Sequence, residues 1–315
     1  MKTKANEKQT NAFQKWKVVL VLCLLVAAAY PSMAANWTGS LTAGTYTLTT
    51  VGSSTQFKVT CSNTSSPYHN QTYDGIGNIT VAVGTNSTVT INFNNTRNII
   101  FACAITLNQG RLYLKRGNVA FTGTAYNLIR TRNYKGPCII VNNSSSSVWY
   151  CRLYIQGYNE NKPFIVNGAC GDVTVTPDGT SYTANHSLNT IAEAPLVLVH
   201  GGLVETRYAE FKGNWLTSGQ GGSAFYITTQ GDAYGIYGTA NSRCQVTLKH
   251  TSIHDCYCYG EGSGSAFLVN CGRLDPSNST EIASSLVLDS TSSVFNCFSD
   301  KLSGTSAGSI YLNIV

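Results

Sequence analysis

The chain has 315 residues, 11% of them charged and 43% hydrophobic, with a formal net charge of +6. It is long enough to bury a sizeable core as one large domain or two ordinary ones, and too apolar to be a disordered chain. Five lysines lie before Val18, and without residues 1–34 the charge falls to about +2, so the basicity is no argument for nucleic-acid binding.

Lys2, Lys4, Lys8, Lys15 and Lys17 lead into an apolar block from Val18 to Tyr30, followed by the small residues Ser32 and Ala34. A basic start, a short apolar core and small residues around a cut site define a secretory signal over residues 1–34. The block is short for a bilayer span, and an uncleaved signal anchor is the alternative. The remainder reads as secreted or displayed at a cell surface. Ten cysteines follow the signal, and an oxidising compartment permits them to pair. Cys256, Cys258 and Cys271 are candidates for local disulfides, with buried free thiols as the other reading.

Residues 35–190 read as a β-rich N-terminal part, a capping segment followed by irregular coils. Runs such as "GTYTLTT", "GNITVAVG", "TVTINF", "IIFACAI", "RLYL", "CIIVNN", "WYCRLYI" and "DVTVTPDG" are separated by Gly, Asn and Ser clusters, as strands divided by turns are. Helical spacing of apolar residues is nearly absent.

Residues 191–315 carry a repeat. "GGSAFYITT" at Gly221–Thr229 returns as "GSGSAFLVN" at Gly262–Asn270 and as "SAGSIYLN" at Ser306–Asn313. Phe225 and Phe267 stand 42 residues apart and Ile310 follows after 43, while Phe211, Ile253 and Phe295 keep a spacing of 42. Each period holds three strand-like pieces, exemplified by "LVET", "FKGN" and "AFYI". A fixed period with three strands per pass predicts an all-β fold, a right-handed parallel β-helix with three strands per coil and inserted loops, in which Phe211, Ile253 and Phe295 stack inward.

"FKGN" followed by "GGSAF" resembles the paired FxxN and GGA-plus-aliphatic repeats of chlamydial-type polymorphic membrane proteins, over about residues 192–315. Phe211 to Asn214 matches FxxN, whereas "IHDC" and "FNCF" depart from it. The resemblance implies an exported β-helix at a cell surface with an adhesive role. The bacterial members carry a C-terminal outer-membrane barrel for which this chain has no room.

The acidic residues are scattered singly, without the paired carboxylates a glycosidase needs, so the chain reads as non-catalytic. A carbohydrate-active β-helix enzyme, a polysaccharide lyase or glycosidase, is the alternative. In "HTSIHDCYC" the residues His250, His254, Cys256 and Cys258 would share one side of a straight strand and are metal-ligand types. A corner between Lys249 and Ile253 would separate them. No cofactor motif is present. Between Asp74 and Glu160 there is no acid, while Arg97, Arg111, Lys115, Arg116, Arg130, Arg132, Lys135 and Arg152 are all basic. That asymmetry predicts a face for a polyanion. Candidate binding residues are Arg130, Arg132 and Lys135, with Tyr234, Tyr237 and Arg243 as loop anchors. The expected partner is a host-cell or matrix protein or an acidic glycan rather than nucleic acid.

Overall fold

Short runs rich in Thr, Val, Ile and Tyr, interrupted by glycine and asparagine, offer strand propensity and no helical face. The computed structural model describes residues 35–52, 56–94, 99–117, 127–130, 136–145, 147–168, 173–175, 182–184, 194–216, 221–229, 243–259, 264–271, 284–300 and 309–314. Residues 36–315 make one unit and residues 1–35 separate as another. The signal-sequence reading therefore lies outside the described residues. The fold is all-β, with no helix among the described residues, and none long and apolar enough to cross a membrane.

The first strands are β1 (Trp37–Leu41), β2 (Gly44–Thr50), β3 (Phe57–Cys61), β4 (Thr72–Tyr73), β5 (Ile76–Ala82), β6 (Thr88–Phe93), β7 (Ile99–Phe101) and β8 (Ile105–Arg116). There follow β9 (Asn127–Arg130), β10 (Ile139–Asn142), β11 (Cys151–Gln156), β12 (Phe164–Asn167), β13 (Val173–Val175), β14 (Tyr182–Ala184), β15 (Val197–His200) and β16 (Gly202–Lys212). The last are β17 (Trp215–Leu216), β18 (Phe225–Thr228), β19 (Cys244–His254), β20 (Tyr257–Tyr259), β21 (Phe267–Cys271), β22 (Ser285–Leu288), β23 (Ser293–Phe295), β24 (Phe298–Asp300) and β25 (Ile310–Ile314).

Twenty of them belong to one large mixed sheet, most of whose pairings are parallel and fall into three ladders. The first ladder runs β1, β5, the start of β8, β10, β15, β18, β21 and β25. The second runs β2, β6, the end of β8, β11, the start of β16, the start of β19 and β22. The third runs β7, β9, β12, the end of β16, the end of β19 and β23. Short strands β17, β20 and β24 form a separate parallel ladder. Antiparallel pairing is confined to β3 with β2 and β4, and to β13 with β14.

Three long strands pass from one ladder to the next, and each bends where the backbone turns left-handed. β8 turns at Gly110 (φ 95°), where a Cβ would meet Val83 Cγ2 at 2.5 Å. β16 and β19 turn at Tyr208 (φ 53°) and His250 (φ 46°). The predicted corner between Lys249 and Ile253 is thus His250. A second column of left-handed residues, Gly213, Asp255 and Asn296, ends β16, β19 and β23.

The core follows from period-2 alternation, as in β6 and β11, whose buried and half-buried residues alternate strictly. In-register pairing stacks Val89, Leu112, Leu153, Val204, Val246 and Leu286 in one column. Each fully buried member is worth about 1.5–3 kcal/mol. Thr206 interrupts the neighbouring apolar column, and its hydroxyl is satisfied inside by Thr251 at 2.8 Å. At the N-terminal end Trp37 packs with Tyr46, Phe57, Tyr68 and Tyr73, ring centroids 5.7, 6.4, 6.0 and 6.3 Å away.

The paired motifs "FKGN" and "GGSAF" close on each other. Asn214 is fully buried and its Nδ2 donates to the carbonyls of Ala194 at 3.2 Å and Ser223 at 2.6 Å, while Ser223 Oγ donates back to the Asn214 carbonyl. Phe211 and Phe225 meet edge to face at 4.7 Å. The period is present as Phe225, Phe267 and Ile310 in register. The expected column of Phe211, Ile253 and Phe295 is corrected in its last member, because Val294 pairs with Ile253. The corner from Leu288 to Val294 holds one residue more than that from Leu248 to Ile253, so Phe295 turns outward, 51% exposed, and stacks on His254 at 4.7 Å. Val204 pairs with Val246 at the same spacing of 42.

Candidate ligand-binding face

The outer side of the second ladder gathers the aromatic and basic residues of the middle of the chain. β8 contributes Arg111, Tyr113 and Lys115 on alternate positions, and β11 contributes Arg152, Tyr154 and Gln156 in register with them. β16 continues the rows with Leu203, Glu205 and Arg207, and β19 with Gln245, Thr247 and Lys249. The rows arise because inward Leu, Ile and Val leave only the intervening positions free to be polar.

Tyr113 and Tyr154 stack with centroids 4.4 Å apart and planes 12° from parallel. Lys115 Nζ lies over the Tyr113 ring at 4.8 Å, and the Arg152 guanidinium lies over Trp149 at 5.3 Å. Arg152 Nε donates to the Trp149 carbonyl at 2.9 Å, fixing the guanidinium beside an indole that is 47% exposed. Arg111 Nη2 donates to Asn86 Oδ1 at 3.1 Å, and Arg207 lies over Tyr208 at 5.1 Å. Glu205 is the acid within these rows, and Lys249 answers it at 3.2 Å. Burial first and then Tyr113 raise the Tyr154 hydroxyl, against Arg152 and Arg111, so it stays neutral and can donate. Planar rings flanked by cations can stack against sugar faces while pairing with carboxylate or sulfate.

Of the predicted basic residues, the structure brings Arg111, Lys115 and Arg152 together. Arg116, at the end of β8, instead donates to the Pro163 carbonyl at 2.7 Å. Arg132, Lys135, Tyr234, Tyr237 and Arg97 lie outside the described residues, as does the Arg130 side chain. Arg243 precedes β19, where its carbonyl accepts from Gly202 at 2.6 Å. Tyr113, Tyr154 and Trp149 were not singled out by sequence reasoning. The signal for the two tyrosines is the near-identical "RLYL" at Arg111 and "RLYI" at Arg152, 41 residues apart.

The residues of "HTSIHDCYC" are dispersed by the left-handed corners at His250 and Asp255. His250 packs on Tyr208 at 4.7 Å and reaches Glu160 at 3.2 Å. His254 lies on the outer side of the third ladder between Asp255 (2.7 Å) and Glu210 (3.2 Å), while Lys212 pairs with Glu210 and Asn296 donates to Asp255 at 2.8 Å. Cys256 and Cys258 are buried. Among the described residues no group of three His, Cys, Asp or Glu is placed to hold a metal ion. The nine described cysteines are free thiols. The local pairing of Cys256, Cys258 and Cys271 is not formed, because Cys258 packs with Leu216 while Cys256 and Cys271 turn towards cysteines of neighbouring strands.

Comparison of the chain with protein-family models, with curated proteins and with solved structures finds no match in any of the three.

Proposed function

We propose that this is an exported, non-catalytic binding protein whose three ladders are the faces of a right-handed parallel β-helix, and whose second face binds an acidic glycan. The observation that carries the reading is the in-register stack of Arg111 on Arg152, Tyr113 on Tyr154 and Lys115 beside them. In-register neighbours stand about 4.8 Å apart, so the cations and rings of β8 and β11 are spaced comparably to two successive sugar units of a chain. Extended repetitive surfaces of this kind suit polymers better than small molecules. The resemblance of "FKGN" and "GGSAF" to polymorphic membrane protein repeats, with the signal-like residues 1–34, supports display at a cell surface or secretion.

The catalytic alternative draws on Glu210 and Asp255, which approach each other through His254. A glycosidase holds one carboxyl protonated. Burial works in that direction at Glu210, but the hydrogen bonds from His254 and Lys212 outweigh it and lower its pKa. That favours a structural ion network.

The test is retention of the purified chain on immobilised heparin and on polygalacturonate across a salt gradient. Arg111→Gln combined with Arg152→Gln is expected to lower the eluting salt and flatten the salt dependence of binding. Tyr154→Ala is expected to weaken binding about three- to tenfold at fixed salt. Retention unchanged in both variants, or cleavage of either polymer by the wild-type chain, overturns the reading.

A further inference from the structure

Two pairs of thiols span neighbouring rungs near the C-terminal end of the ladders. Cys256 and Cys297 each follow a left-handed corner residue, Asp255 and Asn296, and precede Tyr257 and Phe298, which pair in register. The Phe298 amide donates to the Cys256 carbonyl at 3.0 Å. Their sulfurs point at consecutive carbonyls of β19, Cys256 at His254 (3.4 Å) and Cys297 at Ile253 (3.8 Å). In-register neighbours stand about 4.8 Å apart, within the Cα separation of about 4.4–6.8 Å that a disulfide bridges.

Cys244 and Cys271 meet at a different corner. The Cys244 thiol lies 3.3 Å from the Thr228 carbonyl, Thr228 pairs with Asn270, and Cys271 is the next residue. The Ser284 side chain serves both, accepting from the Cys244 amide at 3.1 Å and hydrogen-bonding the Cys271 thiol. In each pair the two thiols are hydrogen-bonded to one another. Each pair also has an inner member that is fully buried, Cys244 or Cys256, and a more open one, Cys271 or Cys297.

We infer that Cys244 with Cys271, and Cys256 with Cys297, are two redox-modification sites that form inter-rung disulfides on meeting a small-molecule disulfide. The order of attack follows from the asymmetry within each pair. The hydrogen bond from Cys244, helped by Ser284 against burial, lowers Cys271 to about 7. The bond from Cys256 lowers Cys297 in the same way, against burial. The less buried thiolate of each pair attacks one sulfur of the small disulfide, breaking that bond and releasing a small thiolate, which takes up the proton given up by the protein. The inner thiol then loses its proton to solvent and attacks the mixed disulfide, expelling the second small thiolate, which is protonated in turn. Two protein thiols are oxidised and one small disulfide is reduced to two thiols. Both bonds join the rung carrying β19 to the rung after it, so together they clamp a single joint.

The full chain, reduced and then exposed to oxidised glutathione, is quenched by acid and alkylation and mapped without reduction by mass spectrometry. Peptides linking Cys244 to Cys271 and Cys256 to Cys297 are expected. Cys151 and Cys258, which burial pushes up to about 12, should remain alkylated as free thiols. Cys244→Ser should leave Cys271 as a glutathione adduct, and the melting temperature of the wild-type chain should rise on oxidation and fall back on reduction. Links between other cysteines, or no link at either pair while the circular dichroism of the chain is unchanged, overturn the inference. The wild-type map decides the question even where a serine variant fails to fold.

Discussion

At the scale of single residues, the two motifs of the repeat are one device. Asn214 is buried where the strand leaves the third ladder, and its amide donates to the carbonyls of Ala194 and Ser223, the second of which also accepts from the Leu196 amide at 3.1 Å. Replacing it by alanine removes two buried hydrogen bonds, so Asn214→Ala should cost about 1–3 kcal/mol, read as a lower urea midpoint with unchanged slope. The same position is Cys256 and then Cys297 in the following rungs, which explains why the FxxN pattern fades while the fold does not. A second residue-scale effect is pH dependence at His254. Burial disfavours its charged form, but the hydrogen bonds to Glu210 and Asp255 outweigh that and raise its pKa. Its contribution is therefore complete below its ordinary value of 6.5 and is lost as pH rises through the raised folded value. Glu210 is shifted down, so its contribution is present above its ordinary value of 4.5 and is lost as pH falls through the folded value. Urea titrations should show these two groups stabilising most between those values, His254→Asn removing the alkaline decline and Glu210→Gln the acidic one.

At the scale of elements, two of the three strands that cross between ladders, β16 and β19, bend at residues other than glycine. Tyr208 and His250 hold left-handed backbones, a conformation costing an L residue about 1 kcal/mol or more relative to glycine. With the ring contact removed in both variants, His250→Gly should be more stable than His250→Ala by about 1 kcal/mol, measured by thermal or urea unfolding. These corners mark the limit of what sequence alone conveyed about the elements. Alternation and the recurrence of Phe225 as Phe267 and Ile310 were legible, because an inward position demands an apolar side chain in every rung. The placement of Phe295 was not, since one extra residue in a corner changes neither composition nor apparent period yet flips every following side chain. The face built by "RLYL" and "RLYI" was hidden for a related reason. Outward rows obey no burial constraint, and only register reveals that two tyrosines 41 positions apart touch. The thiol pairs were equally concealed, because Cys244 and Cys271 sit on different strands of different rungs.

At the scale of the whole molecule, each strand of the three ladders pairs with the one before and the one after it, so stability is expected to vary along the ladders rather than to be shared evenly. Apolar side chains remain open on the last described strand of the first ladder, with Ile310 at 43% and Leu312 at 60% exposure. Hydrogen exchange should accordingly be fastest in β22, β23 and β25 and slowest in β8, β11 and β16, whose inward residues are sealed on both sides. Uniform protection from β6 to β25 would indicate a single cooperative unit. Joining the rung of β19 to its successor through the four thiols should raise protection in β22 and β23 first.

The corner that opens the second ladder is occupied in turn by Gly110, Cys151, Gly202, Cys244 and Ser284. A Cβ on Gly202 would come within 2.9 Å of the Cys151 carbonyl and 3.2 Å of its Cβ. The room left by Gly202 is thus held by Cys151 of the strand before it, whereas at Gly110 it is held by Val83. A duplication or loss that set a residue with a side chain against Cys151 in place of Gly202 would wedge two neighbouring strands apart at this point.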